Sequence, residues 1–302
     1  MEIALLPVSD GMVSMLLLGV CGIALLLASV TDLKTREVPD MLNYGLVFFG
    51  IFINTLLSAL SGDYRFLLNS ALGLGVGFGI GWVMFYAGQW GGGDSKMLMG
   101  LGATIGMPLH WGDSFLLALL LNILFAGAAY GLLWSIFLVF RNRRRFSLAF
   151  ARLTSGKMHH AARFIVLALI ALALVLLIIP IHNVWFKWYL LWLLVIVPLM
   201  YYVWLLVKAI EKSCMIVSLP VRKLTEGDWI AKDVVIRGTR VCGPKDLGIS
   251  KRQIALLRGY ERRGLVKKVL VKQGIPFIPS FLLAFAFTLA WGNPLALLVG
   301  LL

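Results

Sequence analysis

A chain of 302 residues that is 60% apolar and only 14% charged lies far from the composition of a water-soluble domain, and a mean hydropathy of +0.91 excludes a single soluble globular fold. The net charge of +14 would suit a nucleic-acid partner, but basic loops lying against anionic lipid account for it equally, so no nucleic acid is expected.

Crossing about 30 Å of hydrocarbon takes about 20 apolar residues in a helix. Eight runs come near that length, at 12–31, 43–61, 66–88, 95–110, 114–140, 163–181, 184–208 and 275–300. The reading is an all-α polytopic membrane protein of about eight transmembrane helices, with the lipid bilayer as its surroundings. The first run has no basic residue before it and no small-residue cleavage site after it, which makes it a retained helix rather than a removed signal. The third run contains "GLGVGFGIG", whose alternate glycines form two small-residue stripes on a helix, 73/77/81 and 75/79, suited to close helix packing. The fourth run is short and glycine-containing, and the seventh carries Pro198, where a kink is expected.

Lys and Arg accumulate in cytoplasmic loops. With the N-terminus outside, only Arg65 and Lys187 face outward and the other 26 of the 28 basic residues face inward. This places a multi-pass chain in the cell membrane with three cytoplasmic pieces. The first is "TDLKTREVPDML", from 31 to 42. The second, 141–163, has seven basic residues and no acid, with Phe146, Leu148, Phe150 and Leu153 as apolar contacts for the inner leaflet. The third, 211–272, is polar enough to fold in water as a small α+β domain placed before the last helix. Strands are predicted around "DWIAKDVVIRG" and "GLVKKVLVK", with a helix capped by Ser250 and ended before Gly264. The expected organisation is a membrane bundle over 1–210, the cytoplasmic domain over 211–272 and the last membrane helix over 273–302.

Cys21, Cys214 and Cys242 form no CxxC pair, and no metal or other cofactor is expected. His159 and His160 are adjacent, point about 100° apart on any helix and are read as part of a solvated loop.

The 14 acidic residues divide cleanly. Twelve fall in external segments or cytoplasmic water; Asp32 and Asp94 fall at the inner ends of the first and fourth runs, at one depth of one leaflet. Ionisable groups at membrane depth are functional candidates by default. Two carboxyls brought together share a proton, so one acts as base toward water while the other polarises a carbonyl, as in aspartic proteases. Gly91, Gly92 and Gly93 before Asp94 allow close backbone approach, which a simple helix cap does not require.

The run "GGGD" with Lys96, which reads GxGDxK, and "TDLKTREVPD" at 31–40 resemble the type IV prepilin and archaeal preflagellin peptidases, membrane aspartic proteases of the GxGD class. "GIPFIPSFLLAF" at 274–285 is similar to that family's proline- and phenylalanine-rich start of its last helix. The resemblance implies catalytic roles for Asp32 and Asp94 and motif or substrate-positioning roles for Arg36, Pro39, Gly91, Gly92, Gly93, Lys96, Pro276, Phe277 and Pro279. Asp40 stands where the family usually has Asn. The implied substrates are the signal segments of pilin-like or archaellin precursors, whose short basic leader is removed at the cytoplasmic interface. Bacterial relatives that also methylate carry a cysteine-rich insertion, which this chain lacks, so no methyltransferase activity is expected. Other readings are a presenilin-like intramembrane protease, disfavoured by Thr31 and "IPFIPS", and a proton-coupled transporter, which would set its carboxylates at the midplane.

Overall fold

The computed structural model describes residues 11–109, 114–179, 184–246 and 248–294. The expected outer acids Glu2, Asp10 and Asp113 lie outside them. In chain order the helices are α1 (Gly11–Thr35), α2 (Asp40–Ser61), α3 (Arg65–Tyr86), α4 (Gly92–Ile105), α5 (Phe115–Arg141), α6 (Arg143–Thr154), α7 (Lys157–Ile178), α8 (Val184–Ile210), α9 (Lys251–Arg262) and α10 (Ile278–Trp291). The strands are β1 (Ile216–Pro220), β2 (Trp229–Ile230), β3 (Val234–Ile236), β4 (Thr239–Cys242) and β5 (Lys268–Lys272).

All eight predicted membrane runs fall on helices, and among the described residues six are long and apolar enough to cross a bilayer. The other two, α4 and α10, have 14 residues each. At 1.5 Å per residue that is about 21 Å, short of the hydrocarbon thickness. The chain divides into two compact units, Met1–Trp134 with Gly274–Leu302, and Ser135–Gln273.

In the first unit α4 is buried along most of its length, from Ser95 through Ile105. Only the lack of side chains makes that possible. Gly73, Gly77 and Gly81 of α3 face α4: a Cβ at Gly77 would stand 2.7 Å from the Leu98 carbonyl, one at Gly81 3.1 Å from Ser95, and one at Gly73 would collide with the Gly102 carbonyl. Gly102 faces Gly73 in return. The second stripe, Gly75 and Gly79, meets nothing, so one of the two predicted glycine faces packs α3 antiparallel on α4 and the other does not.

On its other side α4 runs parallel to α2, with Leu46 against Gly100 and Gly50 against Ala103 and Thr104. Hydrogen bonds tie the three helices: Ser70 Oγ donates to Ala103 O at 2.6 Å, Ser95 Oγ to Gly81 O at 2.9 Å, and Thr104 Oγ1 to Leu46 O at 3.2 Å. Small residues and interhelical hydrogen bonds are what hold helices together where lipid removes the hydrophobic gain. Gly106, at φ 77°, ends α4, and Met107 N–H donates to Asn69 O at 2.8 Å. The core is completed by α1, α5 and α10, which contribute Leu25, Leu119 and Phe281. Asn122 of α5 reaches Thr288 Oγ1 at 2.9 Å and Gly292 O at 3.0 Å, and Gly127 further along α5 lies against Phe277 before α10, so α5 runs antiparallel to α10.

The second unit joins α6, α7 and α8 to the α+β segment. The basic 141–163 piece becomes α6, with Phe146 and Phe150 stacked 5.8 Å apart. Histidines 159 and 160 do not lie in a loop: they sit on α7, and His159 Nδ1 is 2.7 Å from the Tyr201 hydroxyl of α8. Helix propensity continuing into "HHAARFIVLALIALA" outweighs the polar start of that stretch. Pro198 lies inside α8, and Trp185, Trp188, Tyr189 and Trp192 near its beginning are exposed, as an aromatic belt at a membrane interface would be. After Ile210 a π-helical turn, Glu211–Met215, leads into β1, and Glu211 there pairs with Lys208 at 3.1 Å and Lys272 at 2.9 Å.

A sheet of order β1-β5-β2 is antiparallel throughout, and β3-β4 is a separate hairpin. Arg237 and Gly238, at φ 51° and 81°, form its two-residue turn. The predicted helix is α9: Ser250 Oγ accepts from Gln253 N, and Gln253 Oε1 accepts from Ser250 N at 2.9 Å. Gly264, at φ 73°, follows its end. Strands β1 and β4 go beyond the predicted ones, being short and without alternation. Val221, Leu257, Val269 and Val271 form the core beneath α9.

The contrast between the glycine stripes is testable. Gly77→Leu is expected to lower stability by about 1–3 kcal/mol or to prevent folding, whereas Gly79→Leu leaves the melting temperature of the detergent-solubilised protein near wild type. Equal effects at the two positions would contradict the α3–α4 packing.

Candidate active site

Asp32 lies in the last turn of α1 and is 5% exposed. Its Oδ2 accepts the backbone N–H of Ile278 at 3.0 Å, and the Phe277 amide also bonds to it. The amides at a helix N-terminus lack intrahelical acceptors, so the start of α10 supplies donors for a buried carboxylate. Pro276 and Pro279 keep those donors available. Pro276 is buried in the irregular lead-in, and Pro279 sits in the first turn, where its missing N–H is no loss.

The residues after Asp32 leave the membrane through a tight exit. Arg36 adopts φ 61°, its N–H donates to Asp32 O at 2.8 Å, and its guanidinium Nη1 donates to Gly274 O at 2.7 Å. Arg36 therefore clamps the α10 lead-in to the end of α1. Pro39 stands at the N-cap of α2 with extended backbone.

Asp94 is half-buried in the first turn of α4. Its Oδ2 accepts Gly91 N–H at 2.9 Å, a back-bond that closes the glycine turn. A Cβ on Gly93 would stand 3.2 Å from Val38, and one on Gly92 would be 3.8 Å from Phe85; Gly93 is where the close approach expected of the glycine run takes place. It sets Asp94 directly behind the Val38–Pro39 segment. Lys96 points away toward α2, with Nζ 2.6 Å from Asp40 Oδ1 and 5.0 Å from the Tyr44 ring centroid. Asp40 is thereby ion-paired.

Two elements bring the carboxylates to one place. Trp90, just before the glycine run, is 6% exposed and packs on Phe277 and Phe281 with ring centroids 6.0 and 5.3 Å apart. Phe277 and Ile278 in turn hold Asp32. Of the residues singled out in the sequence, Asp32, Asp94, Arg36, Gly93, Phe277 and the two prolines of the lead-in meet in this cluster, while Lys96 faces the α2 side.

One residue of the cluster, Trp90, is not singled out by the sequence, though it is visible there as an aromatic beside the glycines. Val38, which lies in the "TDLKTREVPD" run, meets Gly93. Asn43 is fully buried on α2, and neither atom of its amide has a hydrogen-bond partner among the described residues. Among those residues no group of three or more His, Cys, Asp or Glu is placed to hold a metal ion.

Residues 19–136 match the model of the Type IV leader peptidase family. This segment holds both aspartates, while "GIPFIPSF" lies outside it. A preflagellin peptidase from Methanocaldococcus jannaschii is 45% identical over 92 residues, 30% of this chain and 39% of the relative. Preflagellin peptidases from Methanococcus maripaludis and Methanococcus voltae are each 39% identical, over 92 and 83 residues. The matches cover 30% and 28% of this chain and 40% and 35% of those relatives, so the chain spans well under two thirds of the length of the relatives it matches.

The carboxylate environment predicts how stability responds apart from any activity. Asp32→Asn keeps an acceptor for Ile278 N–H and is expected to melt near wild type. Asp32→Ala leaves a buried donor unsatisfied and costs about 1–3 kcal/mol, read as a lower melting temperature in detergent. A variant pair with equal melting temperatures would show that the Ile278 bond does not hold this site.

Proposed function

We propose, taking the match of residues 19–136 to the type IV leader peptidase family as the premise, that this multi-pass membrane protein is an aspartic endopeptidase. Its substrates on this reading are pilin-like or archaellin precursors, whose basic leader it removes at the cytoplasmic face of the cell membrane. The observation that carries the reading is the convergence of two carboxylates from separate helices, Asp32 and Asp94, on one buried aromatic cluster in a segment that matches this family.

The chemistry follows from the arrangement. With one proton shared between the carboxyls, the ionised member takes a proton from water as the water oxygen bonds to the scissile carbonyl carbon, and the protonated member donates to the carbonyl oxygen. The tetrahedral intermediate collapses when the departing amine receives the proton taken from water and the C–N bond breaks, while one hydroxyl of the intermediate returns its proton to the other carboxylate as the C=O re-forms, so that the pair again holds one proton. The donors on Asp32 come from backbone that cannot reorient, so its geometry is set before substrate arrives.

A helical peptide bond is shielded by its own hydrogen bonding, so the cut requires an extended stretch. A basic leader stays in the cytoplasm and the apolar helix enters the bilayer, which puts the junction at the depth of Asp32 and Asp94. Glycine just before the cut eases unwinding. The irregular lead-in 274–277 offers backbone to that stretch at Ile275 and Pro276, since Phe277 and Ile278 amides serve Asp32 and Gly274 O serves Arg36. Lys96 on this view braces α4 to α2 and stays out of the chemistry.

Asp32→Asn and Asp94→Asn are each expected to abolish cleavage of a co-expressed precursor while the protein still inserts and folds. Retained cleavage in either variant would overturn the paired mechanism. Lys96→Arg, which preserves the pair with Asp40, is expected to keep activity within about tenfold of wild type. Loss as deep as that of the aspartate variants would assign Lys96 a part in the reaction.

A further inference from the structure

Tyr130 lies on the stretch of α5 that faces the carboxylate cluster. One turn before it, Gly127 is against Phe277: a Cβ there would stand 2.6 Å from the ring. Residues three apart share a helix face. Because α5 runs antiparallel to α10, as the Asn122 and Gly127 contacts show, Tyr130 stands one turn further toward the lead-in that holds Asp32. Its ring stacks on Trp134, with centroids 5.7 Å apart and planes 29° from parallel.

The hydroxyl is buried, yet it has no hydrogen-bond partner among the described residues. A buried hydroxyl in that state costs about 1–3 kcal/mol if nothing ever bonds to it. The hydroxyl does not bond to Asp32, so it is unspent at a position one turn from the Gly127–Phe277 contact, beside the lead-in that bonds Asp32. Ser14 and Ser29, whose hydroxyls are also buried without partners among the described residues, sit on α1.

We propose that Tyr130 is a catalytic residue whose hydroxyl donates a hydrogen bond to the scissile carbonyl oxygen of a bound precursor. This rests on the peptidase reading above and adds to it a neutral donor fixed on a third helix. A phenol suits this role in a low-dielectric site, because it donates without needing a counter-charge and needs no reorganisation as negative charge develops on the oxygen. The aspartate pair then has to complete proton transfer to an oxygen that is already polarised.

The test is steady-state cleavage of a purified precursor by the full-length protein, wild type against Tyr130→Phe. Phenylalanine keeps the Trp134 stack and removes one oxygen. The expected result is a fall in kcat of about 10–1000-fold, KM within about twofold, and an unchanged melting temperature. Tyr130→4-aminophenylalanine, which restores a donor of the same reach, is expected to recover at least tenfold of the lost kcat. A kcat within twofold of wild type in Tyr130→Phe overturns the proposal. So does a lowered melting temperature or failure to fold, because the hydroxyl would then have had a structural bond to lose. A loss carried by KM alone also overturns it. If wild type itself leaves the precursor intact, the peptidase reading fails; if wild type cleaves and Tyr130→Phe cleaves equally well, only the role of Tyr130 fails.

Discussion

The close backbone approach of α3 and α4 is the constraint on which the first unit depends. A helix of 14 residues is too short to cross a bilayer, and in lipid it has no hydrophobic reason to be buried. Gly73, Gly77 and Gly81 let it lie against α3 near enough for dispersion contacts and cross-helix hydrogen bonds to hold it. Because α4 is held in the interior from Ser95 to Ile105, its N-terminal turn, and with it Asp94, is set among the elements that carry Asp32.

The second constraint is that a buried carboxylate must find donors. Asp32 obtains them from the amides of Phe277 and Ile278. The Arg36 guanidinium bonds to Gly274 O, where it fastens the lead-in that presents those amides. Asp94 likewise bonds to backbone, at Gly91 N–H. Both groups are thus positioned by main chain whose geometry is fixed by glycine and proline.

Much of this is legible in the sequence because it rests on local rules. Apolar length locates every membrane helix, Ser250 and Gly264 mark the ends of α9, and the position of only two acids at membrane depth isolates Asp32 and Asp94. The glycine stripes announce close packing, but periodicity alone leaves two equivalent faces, and only the third dimension shows that 73/77/81 is the one used. What the sequence conceals is long-range: Ile278 donating to Asp32 across 246 positions, Trp90 seated on Phe277 and Phe281, and the unpartnered Tyr130 hydroxyl on α5. The partner of His159, Tyr201, is hidden for the same reason, being 42 positions away.

The central claim is that the two carboxylates act on a peptide bond at the inner membrane interface. Mass analysis of the new N-terminus of a precursor co-expressed with this protein tests it most directly. The account predicts a single cut at the junction between the basic leader and the apolar helix, absent when either aspartate is replaced by asparagine. An intact precursor with the wild-type protein, or a new N-terminus in the middle or at the outer end of the apolar helix, would contradict it.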